Sequence, residues 1–283
     1  MQVNYVSDLH IEINGRGRLD QKWAPADVLV LAGDTLSVPY LHPQRNDSEA
    51  RSVKKTWEYL KKNIFPQYKK IFLIMGNHDH YQHVFKNTAD IWREHIKDVP
   101  NLVFLENQDY FFEDTLFVGC TLWTNFLNGN PSAMMIAQGY MNDYYLILEK
   151  KYEELSYQDR MNWNHKKPVI TPEFIYDVHQ KSMIYLKEIV ELNNDLKVVV
   201  ITHHAPSFQS IHGRHVGDNA SPAYASNLEE FILDNPNIKV WLHGHTHHSC
   251  KYQIGETKIL SNQCGYKGET SYYHFNPDQT FEV

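Results

Sequence analysis

The chain reads as an α/β protein in which mixed sheets pack face to face with helices outside. Three observations predict this. Strand–helix–strand units run up to residue 74 and again from 173 to 242. Many short strands lie between and after those units, which implies two sheets rather than one. Short polar motifs stand where apolar, β-branched runs have just ended, the placement by which rigid strands aim loop residues into one crevice.

The elements follow in order. Residues 3–6 form a short strand, and 28–31 a buried one that ends at Ala32-Gly33-Asp34. Residues 49–65 have helical spacing, with Trp57, Leu60 and Ile64 on one face and Pro66 as the stop. Residues 71–75 are the next apolar strand, broken by Gly76, and 84–96 look helical. Residues 101–105, 110–112 and 116–119 read as strands separated by polar turns. The stretch 123–172 is rich in Tyr, Asn, Gln and Met and reads as helices packed over the rest, a cap-like insertion within a single domain spanning 1–283. Residues 173–192 form a long amphipathic helix, 197–201 a strand, 227–233 a short helix and 239–242 another strand. From Lys251 onward the pattern alternates like antiparallel strands. No internal repeat or low-complexity tract interrupts this order.

Composition narrows the function. Hydrophobic residues make up 42% of 283, enough for a sizeable core, and charged residues 22%, ordinary for a soluble protein. The net charge of −7 argues against a non-specific nucleic-acid binder, which needs a basic surface. The doublets Lys54-Lys55 and Lys61-Lys62 are spaced for the solvated face of a helix, so no extended nucleic-acid surface is evident. No stretch has the length of a transmembrane span, and Met1-Gln2-Val3-Asn4-Tyr5 does not open a secretory signal. Cys120, Cys250 and Cys264 lack metal-type spacing and read as reduced thiols, so a cytoplasmic location is expected.

The polar motifs carry the chemistry. Asp8 and His10 are two apart after the first strand, where an extended backbone would point both to one side. Gly33-Asp34 follows a buried strand; its carboxylate suits either a bridge between two ions or a plain helix cap. In Gly76-Asn77-His78-Asp79, the glycine permits a sharp turn that would expose an amide oxygen and an imidazole. Thr202-His203-His204 and Gly244-His245-Thr246-His247 end two further strands with imidazoles, leading ligands of transition metals. Each cluster alone has a bland reading as hydrogen-bonded loop residues. Their joint placement at strand ends favours a metal site.

The order of these motifs, across residues 3–247, resembles the calcineurin-like metallophosphoesterase superfamily, in the branch with Gly-Asn-His-Asp. Leu122-Trp123-Thr124 and Met141-Asn142-Asp143-Tyr144 look like bacterial and phage members. The resemblance implies a four-layer α/β/β/α sandwich of two mixed sheets flanked by helices, with two divalent metal ions. By the same resemblance Asp8, His10 and His247 would hold one ion, Asn77, His203 and His245 the other, and Asp34 would bridge them. His203 is chosen over His204 because it comes first after the strand. Nitrogen and oxygen ligands suit Mn²⁺, Fe, Zn²⁺, Co²⁺ or Ni²⁺ better than Ca²⁺ without selecting among them, and Mn²⁺ is the favoured expectation. The implied catalytic set is His78, Asn77 and Asp34, with His78 facing substrate to stabilise charge or protonate the leaving oxygen. Asp79 is a candidate to orient His78, although neighbours in a turn often point apart.

Gly33-Asp34 continues as Thr35-Leu36-Ser37, without the Asp-Arg-Gly segment of the superfamily's protein Ser/Thr phosphatases, which argues against that activity. Only a short tail follows His247, so the DNA-contacting domain of the related nucleases is not expected. Arg214 and His215 are candidate substrate contacts, Arg214 through a fork of hydrogen bonds to phosphate. Trp123, Tyr140 and Tyr144 could stack on a base, though such aromatics more often pack. His80 and His83 read as helix-start or surface residues. The leading expectation is a metal-dependent phosphoesterase for a small phosphodiester or phosphomonoester, nucleotide-like by preference. A nuclease for short single strands is disfavoured by charge. An inactive scaffold is disfavoured because every expected ligand is present.

Overall fold

Two sheets form the centre of the protein, seen in a computed structural model that describes residues 1–151 and 168–283. In the first sheet β1 (Gln2–Val6), β2 (Val28–Ala32), β3 (Lys70–Ile74) and β4 (Leu102–Phe104) pair in parallel. β11 (Thr280–Glu282) closes the far edge antiparallel to β1. The second sheet has the order β5 (Gln108–Phe112), β6 (Thr115–Cys120), β7 (Lys197–Thr202), β8 (Ile238–Leu242), β10 (Thr257–Leu260) and β9 (Lys251–Ile254). Its four inner strands are parallel and both edges antiparallel.

Alternation along each strand sorts side chains into layers, because successive residues face opposite sides. Val28 and Val30 join Phe72, Phe117, Val199 and Val240 in the layer between the sheets. Phe72 and Phe117 stack there at 4.3 Å. Leu29, Leu31 and Leu73 face outward onto Trp57 and Trp92 of helices α1 (Ser48–Tyr59) and α2 (Thr88–His95). On the other side Val118, Val198 and Val200 pack against Met183, Leu186 and Val190. These three belong to α4 (Pro172–Leu192), which follows α3 (Pro131–Tyr140) in the chain. Four layers therefore need both faces of each sheet apolar, and the near-continuous apolar strands supply them. Gly119 lets the sheets approach, since a Cβ there would stand 2.5 Å from the Leu105 Cβ.

Boundaries shift from the sequence expectations. The helix expected over 49–65 is α-helical only to Tyr59; it widens to a π-turn over Leu60–Ile64 and tightens over Phe65–Gln67. Trp57, Leu60 and Ile64 still share the buried face. The 84–96 helix shortens to α2, after a single turn at Phe85–Asn87. The tail pairs antiparallel in β9 and β10 as expected, but a short helix, Thr270–His274, then interrupts the alternation. Around α3, Trp123, Phe126, Met134, Ala137, Tyr144 and Ile175 form a satellite core of their own. The segment 152–167 of the expected insertion lies outside the described residues.

Candidate metal centre

The strand-end motifs meet at one end of both sheets, and left-handed backbone brings them there. Asp8 (φ 55°), His10 (φ 43°), Asp34 (φ 51°), His245 (φ 71°) and His247 (φ 47°) all lie in the region that disfavours side chains with a Cβ. This corrects the expected extended geometry at Asp8 and His10. The chain turns back sharply there, and the turn is what aims both side chains inward. Such conformations cost about 1–2 kcal/mol per residue and persist where the surroundings over-determine them.

Two groups of donor atoms result. His247 Nε2 stands 3.5 Å from Asp8 Oδ1 and 3.0 Å from His10 Nε2, with His10 Nε2 4.0 Å from Asp8 Oδ1. In the second group Asn77 Oδ1 is 3.1 Å from both His203 Nε2 and His245 Nδ1. Asp34 Oδ2 stands 3.2 Å from His203 Nε2 and 3.7 Å from His10 Nε2, between the two groups. His204 turns away, with Nδ1 3.4 Å from the Thr121 carbonyl and its ring stacked on Trp123.

Polar neighbours fix which atoms face inward. His203 Nδ1 lies 3.0 Å from the Ala32 carbonyl, where it donates. His247 Nδ1 donates to Glu269 at 2.7 Å. Asn77 Nδ2 donates to Asp143 Oδ1 at 2.8 Å, which leaves the amide oxygen aimed into the site. Carboxylate, amide oxygen and imidazole lone pairs thus converge, a donor set that fits cations. In the protein alone, protons take that role. Burial disfavours a charged His203 ring, but the Asp34 carboxylate prevails and raises its pKa to about 9. Burial opposes charge on His247 as well, and Asp8 and Glu269 raise it to about 10.

His78 sits beside this cluster. Its main-chain N–H donates to Asp34 Oδ1 at 2.8 Å, while its ring is held at Nδ1 by Glu12 (3.3 Å) and at Nε2 by the Tyr266 hydroxyl (2.8 Å). Asp79, a candidate to orient His78, points elsewhere, as neighbours in a turn often do. Its Oδ2 accepts from the amides of Gly76 (2.8 Å) and Asp34 (3.2 Å), and Oδ1 from the Trp92 indole (2.6 Å). Asp79 therefore clasps the loops that carry Asp34 and Asn77 to α2.

The family model of calcineurin-like phosphoesterases matches residues 1–249. The chain belongs to this family. An uncharacterized protein of Acanthamoeba polyphaga mimivirus, L509, is 30% identical over 302 aligned positions, covering 97% of this chain and 94% of that protein. Among solved structures, a phosphopantetheinyl hydrolase from Mycobacterium tuberculosis superposes with a TM-score of 0.62 at 14% identity, covering 96% of this chain and 94% of that one. The shared fold is the α/β sandwich described above. Calcineurin-like phosphoesterases use divalent metal ions, and Asp8/His10/His247 and Asp34/His203/His245 are grouped so that they could hold them.

Other residues of this calcineurin-like phosphoesterase lie apart from the centre. Arg214 and His215 occupy an exposed turn, Gly213–His215, where the Arg214 Nε is 3.0 Å from His215 Nε2. Among the described residues no contact joins either to the cluster. His80, expected near the surface, is buried, stacked on Phe85 at 4.3 Å and bonded through Nδ1 to Thr88 Oγ1; burial lowers its pKa to about 3. Trp123 and Tyr144 are buried in packing, and Tyr140 is exposed. No described helix is long and apolar enough to cross a membrane. Sequence reasoning missed Glu12, Asp143, Tyr266 and Glu269. Asp143 lay inside a singled-out segment and Glu12 follows His10 by two residues, but nothing local marked Tyr266 or Glu269.

Proposed function

We propose that this metal-dependent phosphoesterase works through a dinuclear centre, with Asp34 as the bridge. The observation that carries the reading is the position of Asp34 Oδ2, 3.7 Å from His10 Nε2 on one side and 3.2 Å from His203 Nε2 on the other. In this reading Asp8, His10 and His247 hold one ion and Asn77, His203 and His245 the other, with Mn²⁺ the favoured metal. A bound ion pair supplies Lewis acidity and an activated water at neutral pH.

The chain's own residues do the rest. Asn77 presents its amide oxygen because Asp143 holds the NH₂ side. Glu12 on Nδ1 leaves His78 Nε2 to face a phosphoryl or leaving-group oxygen, the atom on which the Tyr266 hydroxyl rests. A charged His78 there stabilises developing negative charge or donates a proton. The substrate is a small phosphomonoester or phosphodiester, nucleotide-like by preference. Net charge −7 supports this over an extended nucleic acid. The residues around α3 act as a cap on the single domain. Three free thiols support a reducing, cytoplasmic location.

The test is hydrolysis of p-nitrophenyl phosphate and bis-p-nitrophenyl phosphate, with Mn²⁺ or with chelator, by wild type and Asp34→Asn. Metal-dependent turnover that Asp34→Asn abolishes is expected, and the ratio of the two rates sets ester class. Turnover equal in chelator and in the variant rules the reading out.

A further inference from the structure

A cleft of about 420 Å³ opens between α3 and the loop that follows His203 and His204. Its walls are Leu127, Ile136, Phe208, Ile211 and Val216, and Asp218 is the one charged side chain among the described lining residues. A cleft of this size accepts a small organic group. Its lining supplies no cation to pair with a phosphate or other anion, so burying one there is costly, and the Asp218 carboxylate at its edge faces His215 at 3.7 Å, outside the lining.

The cleft is linked to the candidate metal centre through Tyr224. Ser221 and Pro222 line it, and Pro222 precedes Tyr224 by two residues, a span of at most about 7 Å. The Tyr224 ring lies 5.0 Å from the ring of His245. One wall therefore leads directly to a side chain packed on a candidate ligand.

Strain marks another part of the lining. Phe126, Leu127 and Asn128 are consecutive left-handed residues (φ 47°, 55° and 59°), ahead of Gly129 at φ 79°. A leucine in that conformation, half-exposed, meets two unfavourable conditions at once. Val216, also in the lining, is 72% exposed. Solvent-facing apolar side chains lining a concavity, one of them held there by strained backbone, are the features of a binding surface.

We propose that this cleft binds an uncharged organic group with an apolar face, a class that includes a nucleobase, and that, on the reading of the centre as a phosphoesterase, this is the group esterified to the substrate phosphate. The experiment is equilibrium dialysis of 2-naphthol against the metal-free protein, with 2-naphthalenesulfonate as the anionic counterpart. Wild type, Leu127→Asp and Val216→Asp are compared. Aspartate tolerates left-handed backbone better than leucine, so Leu127→Asp threatens the fold little, and Val216 is a solvent-facing loop residue. The expected result is one naphthol per chain, weakened about tenfold or more in both variants, with the sulfonate weaker by a similar factor in wild type. Absent naphthol binding, binding indifferent to both variants, or equal binding of the sulfonate overturns the proposal. Dialysis needs neither metal nor turnover, so each of these outcomes is independent of the catalytic reading. With Mn²⁺ present, Leu127→Asp should raise KM for 2-naphthyl phosphate with little change in kcat. Naphthol binding without turnover of any ester by wild type would remove the catalytic reading and keep the cleft.

Discussion

At the scale of single residues, the centre is built from crowded positions where one added atom matters. A Cβ on Gly76 would run into the Asp34 carboxylate and stand 2.6 Å from the Asp34 amide nitrogen. Gly76→Ala should therefore displace the proposed bridge and lower metal-dependent turnover by about a hundredfold or more. Metal content by elemental analysis and hydrolysis rate check it together, and normal values for both would refute it. Glu12 offers a gentler probe. Burial alone would raise its carboxyl, yet the His10 ring at 3.6 Å and the His78 ring at 3.3 Å hold it down to about 2. Glu12→Gln should cut kcat by about ten- to a hundredfold with metal content intact, because His78 loses a charged anchor. Unchanged kcat would assign Glu12 a packing role. The strand-end residues that meet in the candidate centre were legible in the sequence because Asp, Asn and His recur where β-branched runs stop. Glu12, Asp143, Tyr266 and Glu269 were not, since each acts through a candidate ligand or through His78, and Glu269 reaches His247 from 22 residues away.

At the scale of elements, Glu106 links the sheets. It follows β4 and accepts from Thr121 N (3.1 Å) and Oγ1 (2.8 Å) beyond β6. Thr121 in turn receives the amides of His203 and His204 on its carbonyl. Burial raises the Glu106 carboxyl from 4.5 to about 7. Between those values the folded chain keeps a proton that the unfolded chain has released, so this group costs stability as pH climbs through the window. Glu106→Gln keeps an acceptor without the charge. Its Tm should exceed that of wild type at pH 8 and match it near pH 4.5. Equal differences at both pH values would contradict the assignment. Strand identity was readable from apolar runs, and edges were not, because pairing decides where a strand ends. Gln108 and Asp109 belong to β5 only through partners on β6. His80 was misread for a related reason: polarity alone does not reveal the Phe85 ring stacked on it.

At the scale of the whole molecule, charge at the centre couples folding, protons and metal. His203, raised from 6.5 to about 9 by Asp34 against the effect of burial, contributes stability to the metal-free protein below pH 6.5 and loses it as pH rises through 9. A metal must displace that proton, so apparent affinity should rise about tenfold per pH unit for each proton released below pH 9. Chelator competition at pH 6.5 and 8.5 measures this, and a flat profile would exclude proton displacement. The four-layer order was readable early because both sheets need two apolar faces. Long-range supports such as Glu269 on His247 exist only once the tail has folded back. The Asp79 clasp has a kinetic side. The amides of Gly76 and Asp34 end on one buried carboxylate that is itself bonded to Trp92 in the core. Neither loop can breathe without uncoupling α2, so these two amides should exchange with deuterium as slowly as β3, and Trp92→Phe should hasten both. Ligand loops that open only with their core would also release a bound ion slowly, making residence time a property of the fold rather than of the coordinating atoms.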